Sequence, residues 1–208
     1  MKVHEISPLV SPRLAPWPGD TPFNSELVLA MSRGDSVNVS RVTLSSHFGA
    51  HADAPCHFVP GAADIATVAL EPFLGPARVI QVPGVEVIGR REAALARGAR
   101  RVLFRVLSEA ADEFPARYAP LAVEAARELA RLGVILFGTD APSVDPPGSS
   151  ALPAHHGLHD GGVAILENLR LSDVPAGEYE LIALPLRWQG LDGSPVRAVL
   201  RELRGGAP

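Results

Sequence analysis

With 208 residues, 47% of them hydrophobic and 20% charged, the chain has the size and balance of a soluble globular unit able to bury a core. Its net charge of -4, from 19 basic and 23 acidic side chains, gives no electrostatic case for nucleic acid or an anionic membrane as partner. No stretch reaches the ~18 apolar residues of a membrane span. The opening MKVHEISPLV has Glu5 and Pro8 where a signal peptide needs an apolar run, and the one cysteine, Cys56, permits no internal disulfide, so a cytoplasmic protein is expected.

Along the chain, the first 25 residues are proline-dense (SPLVSPRLAPWPGDTP) and predict extended arms and turns laid over the body. Segments rich in β-branched residues predict strands over 37–46, 77–82, 101–106, 133–138, 163–166, 179–186 and 195–200. Good helix formers predict one helix over 91–98. A second is expected over 119–133, with Pro120 in its first turn and Gly133 as its stop. Many strands with few helices, in no strict alternation, indicate an α/β class: a single domain over 1–208 built on a mixed sheet. Three of the strands run into polar residues, VTLSS into His47, GVILFG into Thr139 and Asp140, and VAIL into Glu167. Were these strands neighbours, their ends would form one pocket.

The histidines carry the strongest chemical signal. Apart from His4, they fall in two clusters: His47, His51 and His57 in HFGAHADAPCH, and His155, His156 and His159 about a hundred residues later. Gly49 and Pro55 argue against a helix through the first cluster, so a strand-to-loop passage is expected, the glycine allowing the turn. His51 and Asp53, two apart, share a face of an extended stretch. The second cluster precedes an apolar strand ending at Glu167, with His155, His156 and His159 as rival ligands. Two histidines and two carboxylates suffice for a divalent ion, and a fifth ligand with bridging oxygens would allow a pair. Nitrogen and oxygen donors without thiolate suit zinc or manganese. Cys56 beside His57 raises the alternative of a cysteine nucleophile. Adjacent side chains of an extended segment point apart, however, so Cys56 is read as a small buried filler. No nucleophile elbow, phosphate loop or dinucleotide fingerprint is present.

HFGAHADAPCH resembles the HxGTHxDxPxH signature of the cyclase-like metal-dependent hydrolases, with Ala50 where threonine usually stands. ISPLVSPRLAPWPGDTPF, GTDAPSVDP, AHHGLHDGGVAILENL and YELIALPLRWQGLDGSPVRAVLREL extend the likeness over most of the chain, toward the bacterial kynurenine formamidases (arylformamidases) that release formate from N-formylkynurenine in tryptophan degradation. The resemblance implies a swivelling β/β/α fold, a homodimer, a small-molecule substrate and a binuclear zinc site. It implies His47, His51, Asp53, His155 and Glu167 as metal ligands, both carboxylates bridging. His57 would be the general acid/base, and Trp17 would contact the substrate. Phe48, at a variable motif position, is expected to narrow the pocket or touch the substrate, and APS follows Asp140 where a threonine is common. Other small or cyclic amides, such as an isatin-like lactam or an imide, remain alternative substrates, and a metal-binding protein without catalysis is the reading from another class.

Overall fold

The computed structural model describes residues 1–109 and 112–203; the other positions of the expected 1–208 unit lie outside the described residues. The strands among the described residues are β1 (Val3–Glu5), β2 (Asn24–Leu29), β3 (Val39–Thr43), β4 (His51–Asp53), β5 (Leu74–Gln81), β6 (Arg101–Arg105), β7 (Leu136–Thr139), β8 (Ala164–Glu167), β9 (Gly177–Ile182), β10 (Gly193–Pro195) and β11 (Val199–Glu202). The α-helices among the described residues are α1 (Arg90–Ala93), α2 (Val123–Arg131) and α3 (Pro153–Asp160). Nine strands make one mixed sheet in the order β1-β11-β9-β5-β6-β7-β8-β4-β10, while β2 and β3 form a separate antiparallel ribbon. The run β5-β6-β7-β8 is parallel, and every other pairing is antiparallel.

The period-2 alternation of the central strands divides their side chains between two cores. Phe104, Phe137 and Ile165 pack under the helices with Leu129 of α2 and Leu158 of α3. Their neighbours Leu103, Leu136 and Leu166 point the other way, into a cluster with Ala52, Leu181 and Leu200. Those partners come from strands at both ends of the sheet, so the sheet curls over and covers its own second face. No helix among the described residues is long and apolar enough to cross a membrane.

The expected strands and helices form, with instructive differences. The segment 195–200 is two strands, β10 and β11, at opposite regions of the sheet, because the chain crosses from β4 to β9 there. Pro120 precedes α2, whose N-cap is Ala122, so the helix starts later than expected. The 37–46 strand pairs only with β2 and is no neighbour of β7 or β8, which overturns the convergence of three strand ends.

Candidate metal centre and catalytic cavity

The strand that carries the site is β4, second from the end of the sheet and antiparallel to β8, with His51 directly opposite Glu167. His51 and Asp53 therefore lie on one face of β4, as their spacing requires. On its other edge β4 pairs with β10, placing Gly193 opposite Asp53. His47 reaches the same place from the turn after the ribbon. Gly49, at φ +68, provides the left-handed residue that returns the chain toward β4. Gly193 backs the His47 ring so closely that a Cβ there would stand 2.8 Å from His47 Cε1. His155 arrives on α3, a helix not expected from the sequence, whose N-terminus is capped by Asp145. The Ala154 and His155 N–H groups donate to its two oxygens at 3.0 and 3.1 Å.

These elements bring His47, His51, Asp53, His155 and Glu167 together. The Asp53 carboxylate is central. Its Oδ1 lies 3.1 Å from His47 Nδ1 and 3.3 Å from His51 Nε2, while Oδ2 lies 3.4 Å from His155 Nε2. Glu167 repeats the pattern, with Oε2 3.4 Å from His51 Nε2 and Oε1 3.6 Å from His155 Nε2. The Val144 N–H donates to Glu167 Oε1 at 2.7 Å and holds that carboxylate. Ring orientations are set from behind. His51 Nδ1–H donates to the Gly49 carbonyl at 2.9 Å, and His155 Nδ1–H donates to Asp145 Oδ2 at 2.7 Å, which turns both Nε2 atoms toward the carboxylates.

Burial opposes charge on His51, yet its contacts with Asp53 and Glu167 prevail and push its pKa up to about 10. His155 behaves alike: burial lowers it, but the Asp145 and Asp53 carboxylates raise it to about 10. Burial would raise Asp53, but the His155, His47 and His51 imidazoles facing its oxygens hold it well below the usual carboxylate range. The protein thus concentrates carboxylate charge that wants a cation. Even so, the buried Asp53 Oδ2 and His47 Nε2 make no hydrogen bond among the described residues. Two donors ~2.0–2.2 Å from one tetrahedral ion are roughly 3.3–3.6 Å apart, close to the spacings between these atoms. Donor chemistry, orphaned atoms and spacing all fit divalent metal ions.

Beside the cluster is a cavity of about 360 Å3 whose lining includes Trp17, Ser46, His57, Ser143, Asn168 and Asp192. Trp17, one of the lining residues, stands edge-on to Phe114 at 5.3 Å between ring centroids. The His57 ring lies 4.1 Å from that of His47. Burial lowers the His57 pKa from its ordinary value; Asp53 and Asp192 oppose this, and the His47 and His155 imidazoles add to it.

Several expectations are corrected here. Phe48 neither narrows nor lines this cavity; it is fully buried against Phe23, with 6.3 Å between ring centroids. Cys56 is half-buried rather than buried, and it sits in a 3-10 turn (Pro55–His57), not an extended segment. Asp140, at the end of β7, serves structure: its carboxylate accepts from the Val106 and Leu107 N–H groups. Among the rival histidines, only His155 joins the cluster, whereas His156 and His159 pack their rings against Phe58. Sequence reasoning missed Asp145 and Asp192, which become site residues only through the fold.

Residues 4–146 match the model of the family described as "Putative cyclase", and the chain belongs to this cyclase family. The fold agrees with that of a "predicted metal-dependent hydrolase" from Bacillus stearothermophilus, at a TM-score of 0.82 and 29% identity over 96% of this chain and 97% of that one. Within the family, the chain is 48% identical to the kynurenine formamidase of Bordetella pertussis, over 97% of this chain and 99% of the relative. Isatin hydrolase A from Labrenzia aggregata shares the fold, at a TM-score of 0.78 and 24% identity over 96% of this chain and 93% of that one.

Proposed function

We propose that the chain is an arylformamidase that hydrolyses N-formyl-L-kynurenine to L-kynurenine and formate, a step of tryptophan degradation. The observation that carries this reading is the Asp53 carboxylate, with one oxygen facing His47 and His51 and the other facing His155, behind a cavity that those three histidines line together with Trp17 and His57. The 48% identity to a kynurenine formamidase over nearly the whole chain supports the substrate.

The ligands are His47, His51, Asp53, His155 and Glu167, and the two carboxylates, each facing imidazoles with both oxygens, suit a pair of ions. Zinc is the cation we favour, with manganese as the alternative, because the donors are imidazole and carboxylate without thiolate. When bound, such a cation supplies Lewis-acid polarisation of the formyl carbonyl and lowers the pKa of water.

The chain's own residues do the rest. His57, its pKa lowered by burial, is neutral near pH 7 and able to take a proton from the attacking water. As the C–N bond breaks, that proton passes from His57 to the leaving aromatic amine, so the products are formate and the free amine. Trp17 presents an aromatic surface at the cavity for the aryl ring.

The working unit we propose is a cytoplasmic homodimer, for which the β2–β3 ribbon provides a surface. All residues of both strands are exposed, including Leu27, Val28, Leu29, Val39 and Val42. An isolated two-stranded ribbon is marginal in water unless something packs on it.

Formate release from N-formyl-L-kynurenine by purified protein, before and after chelation and after zinc is returned, tests the reading. Loss on chelation and recovery with zinc is expected. Well-metallated protein that releases no formate would overturn the substrate.

A further inference from the structure

Asp192 lies on the segment between β9 and β10, in a position where it touches both the metal cluster and the proton-transferring histidine. Its Oδ2 is 3.6 Å from His57 Nδ1 and 3.3 Å from His47 Nε2. Its Oδ1 accepts from the Ser46 hydroxyl at 2.7 Å, which fixes the plane of the carboxylate. The backbone ties this segment to the one bearing His57. Ala54 N–H donates to the Asp192 carbonyl at 2.8 Å, Ile65 N–H donates to the Leu191 carbonyl at 3.0 Å, and Gly190 N–H donates to Asp64 Oδ2 at 2.6 Å. Three hydrogen bonds thus tie the two segments together.

The two imidazoles differ in how much they need Asp192. The His47 ring has its Nδ1 turned to the proposed cation position beside Asp53, 3.1 Å away, and the bare Cα of Gly193 backs its edge. Its Nε2, though near Asp192, makes no hydrogen bond. The His57 side chain has no hydrogen bond to any described residue, and the Asp192 carboxylate is the acidic group nearest its Nδ1. A spacing of 3.6 Å is just beyond hydrogen-bond length, and contacts of this kind commonly tighten once substrate is bound.

From this geometry we infer that Asp192 is the positioning residue of His57: it holds the proton on Nδ1, so that Nε2 is the atom that accepts and returns the proton in the cavity. The inference rests on the proposed amide hydrolysis and adds a carboxylate–imidazole pair to it. Each turnover then moves one proton on and off Nε2 while Nδ1–H stays directed at Asp192. Asp192 itself gains no proton.

The test compares Asp192→Asn, Ser46→Ala, His57→Ala and the double variant Asp192→Asn/His57→Ala in zinc-loaded protein. Asp192→Asn is expected to lower kcat on the order of 10–100-fold, with KM and zinc content unchanged. Because it acts through His57, it should cost nothing further in the His57→Ala background. Ser46→Ala, which only loosens the carboxylate, should give a smaller loss in the same direction. Independently of any substrate, long-range nitrogen–proton NMR of the histidine rings should show His57 as the Nδ1–H tautomer in the unaltered protein and shifted toward Nε2–H in Asp192→Asn. Unchanged kcat, losses that add to those of His57→Ala, or lowered zinc content would overturn the assignment, the last two placing Asp192 in the service of His47. An unaltered protein that releases no formate but shows the expected tautomer change would sink the substrate and leave the pair standing.

Discussion

Strands β3 and β4 are separated by only seven residues, yet they meet opposite fates. All three residues of β4 are buried; all eleven residues of β2 and β3 are exposed. β4 is pinned on both edges, by β8 and β10, and from behind by Ala52 in the core. That rigidity allows His51 and Asp53 to hold costly charge at fixed spacing. The ribbon is held by its mutual hydrogen bonds, by the Arg33 guanidinium donating to the Leu27 and Val28 carbonyls, and by an exposed ion pair between Glu26 and Arg41, and it leaves its aliphatic side chains outside. The proposed ligands and an uncovered aliphatic surface are thus segregated into neighbouring segments, one pinned within the chain and one exposed.

Substitutions on the two sides should differ sharply in what they change. The largest effect is expected at Asp53→Asn, which weakens both sides of the cluster at once. Formate release should fall at least about a thousandfold, roughly 4 kcal/mol of transition-state stabilisation, together with loss of bound zinc measured by elemental analysis.

Asp140 is buried like β4 but sits outside the metal cluster, which makes it a control for buried charge alone. Burial raises its pKa to about 6, against the pull of the Val106 and Leu107 N–H groups. A carboxyl whose folded-state pKa is raised contributes stability in full below its ordinary pKa and loses it as pH rises through about 6. Asp140→Asn should therefore gain on the unaltered protein above that pH, by up to about 3 kcal/mol, and lose the advantage below about pH 4. Urea denaturation at pH 8 and pH 4 checks this; an offset equal at both would contradict it.

Ala52→Leu, which adds bulk on the core face of β4, should cost about 1–3 kcal/mol of stability by the same denaturation measurement. Val42→Lys, on the ribbon, should change the stability of the folded chain by less than about 0.5 kcal/mol. Sedimentation should nevertheless show a shift from dimer to monomer. A monomeric unaltered protein would remove the ribbon's proposed role.

How much of this was legible in the sequence depends on how local each feature is. His47, His51 and Asp53 lie within seven residues, so spacing alone suggested their shared purpose. Choosing among His155, His156 and His159 required α3, and its propensity is masked by Pro153 and by Gly157 and Gly161. Those glycines admit close helix packing: a Cβ at Gly161 would meet Ala130 of α2. β10, only Gly-Ser-Pro, has no strand propensity and is extended because β4 offers it a ladder. Asp145 meets His155 through a helix cap, and Asp192 reaches His57 from a distant part of the chain through a loop clamp, contacts that no local pattern encodes. Phe48 looked like a pocket residue from its place in the motif, but the turn at Gly49 directs the histidines inward and the phenylalanine toward Phe23.

The Asp53 carboxylate, one oxygen facing His47 and His51 and the other His155, would hold a pair of cations under the proposed function. The most direct test is zinc stoichiometry, by titrating chelator-stripped protein to saturation and counting bound ions per chain by mass spectrometry under native conditions. A pair of ions per chain, falling away in Asp53→Asn, is the predicted result. Saturation at a single ion, or an undiminished pair in Asp53→Asn, would contradict it.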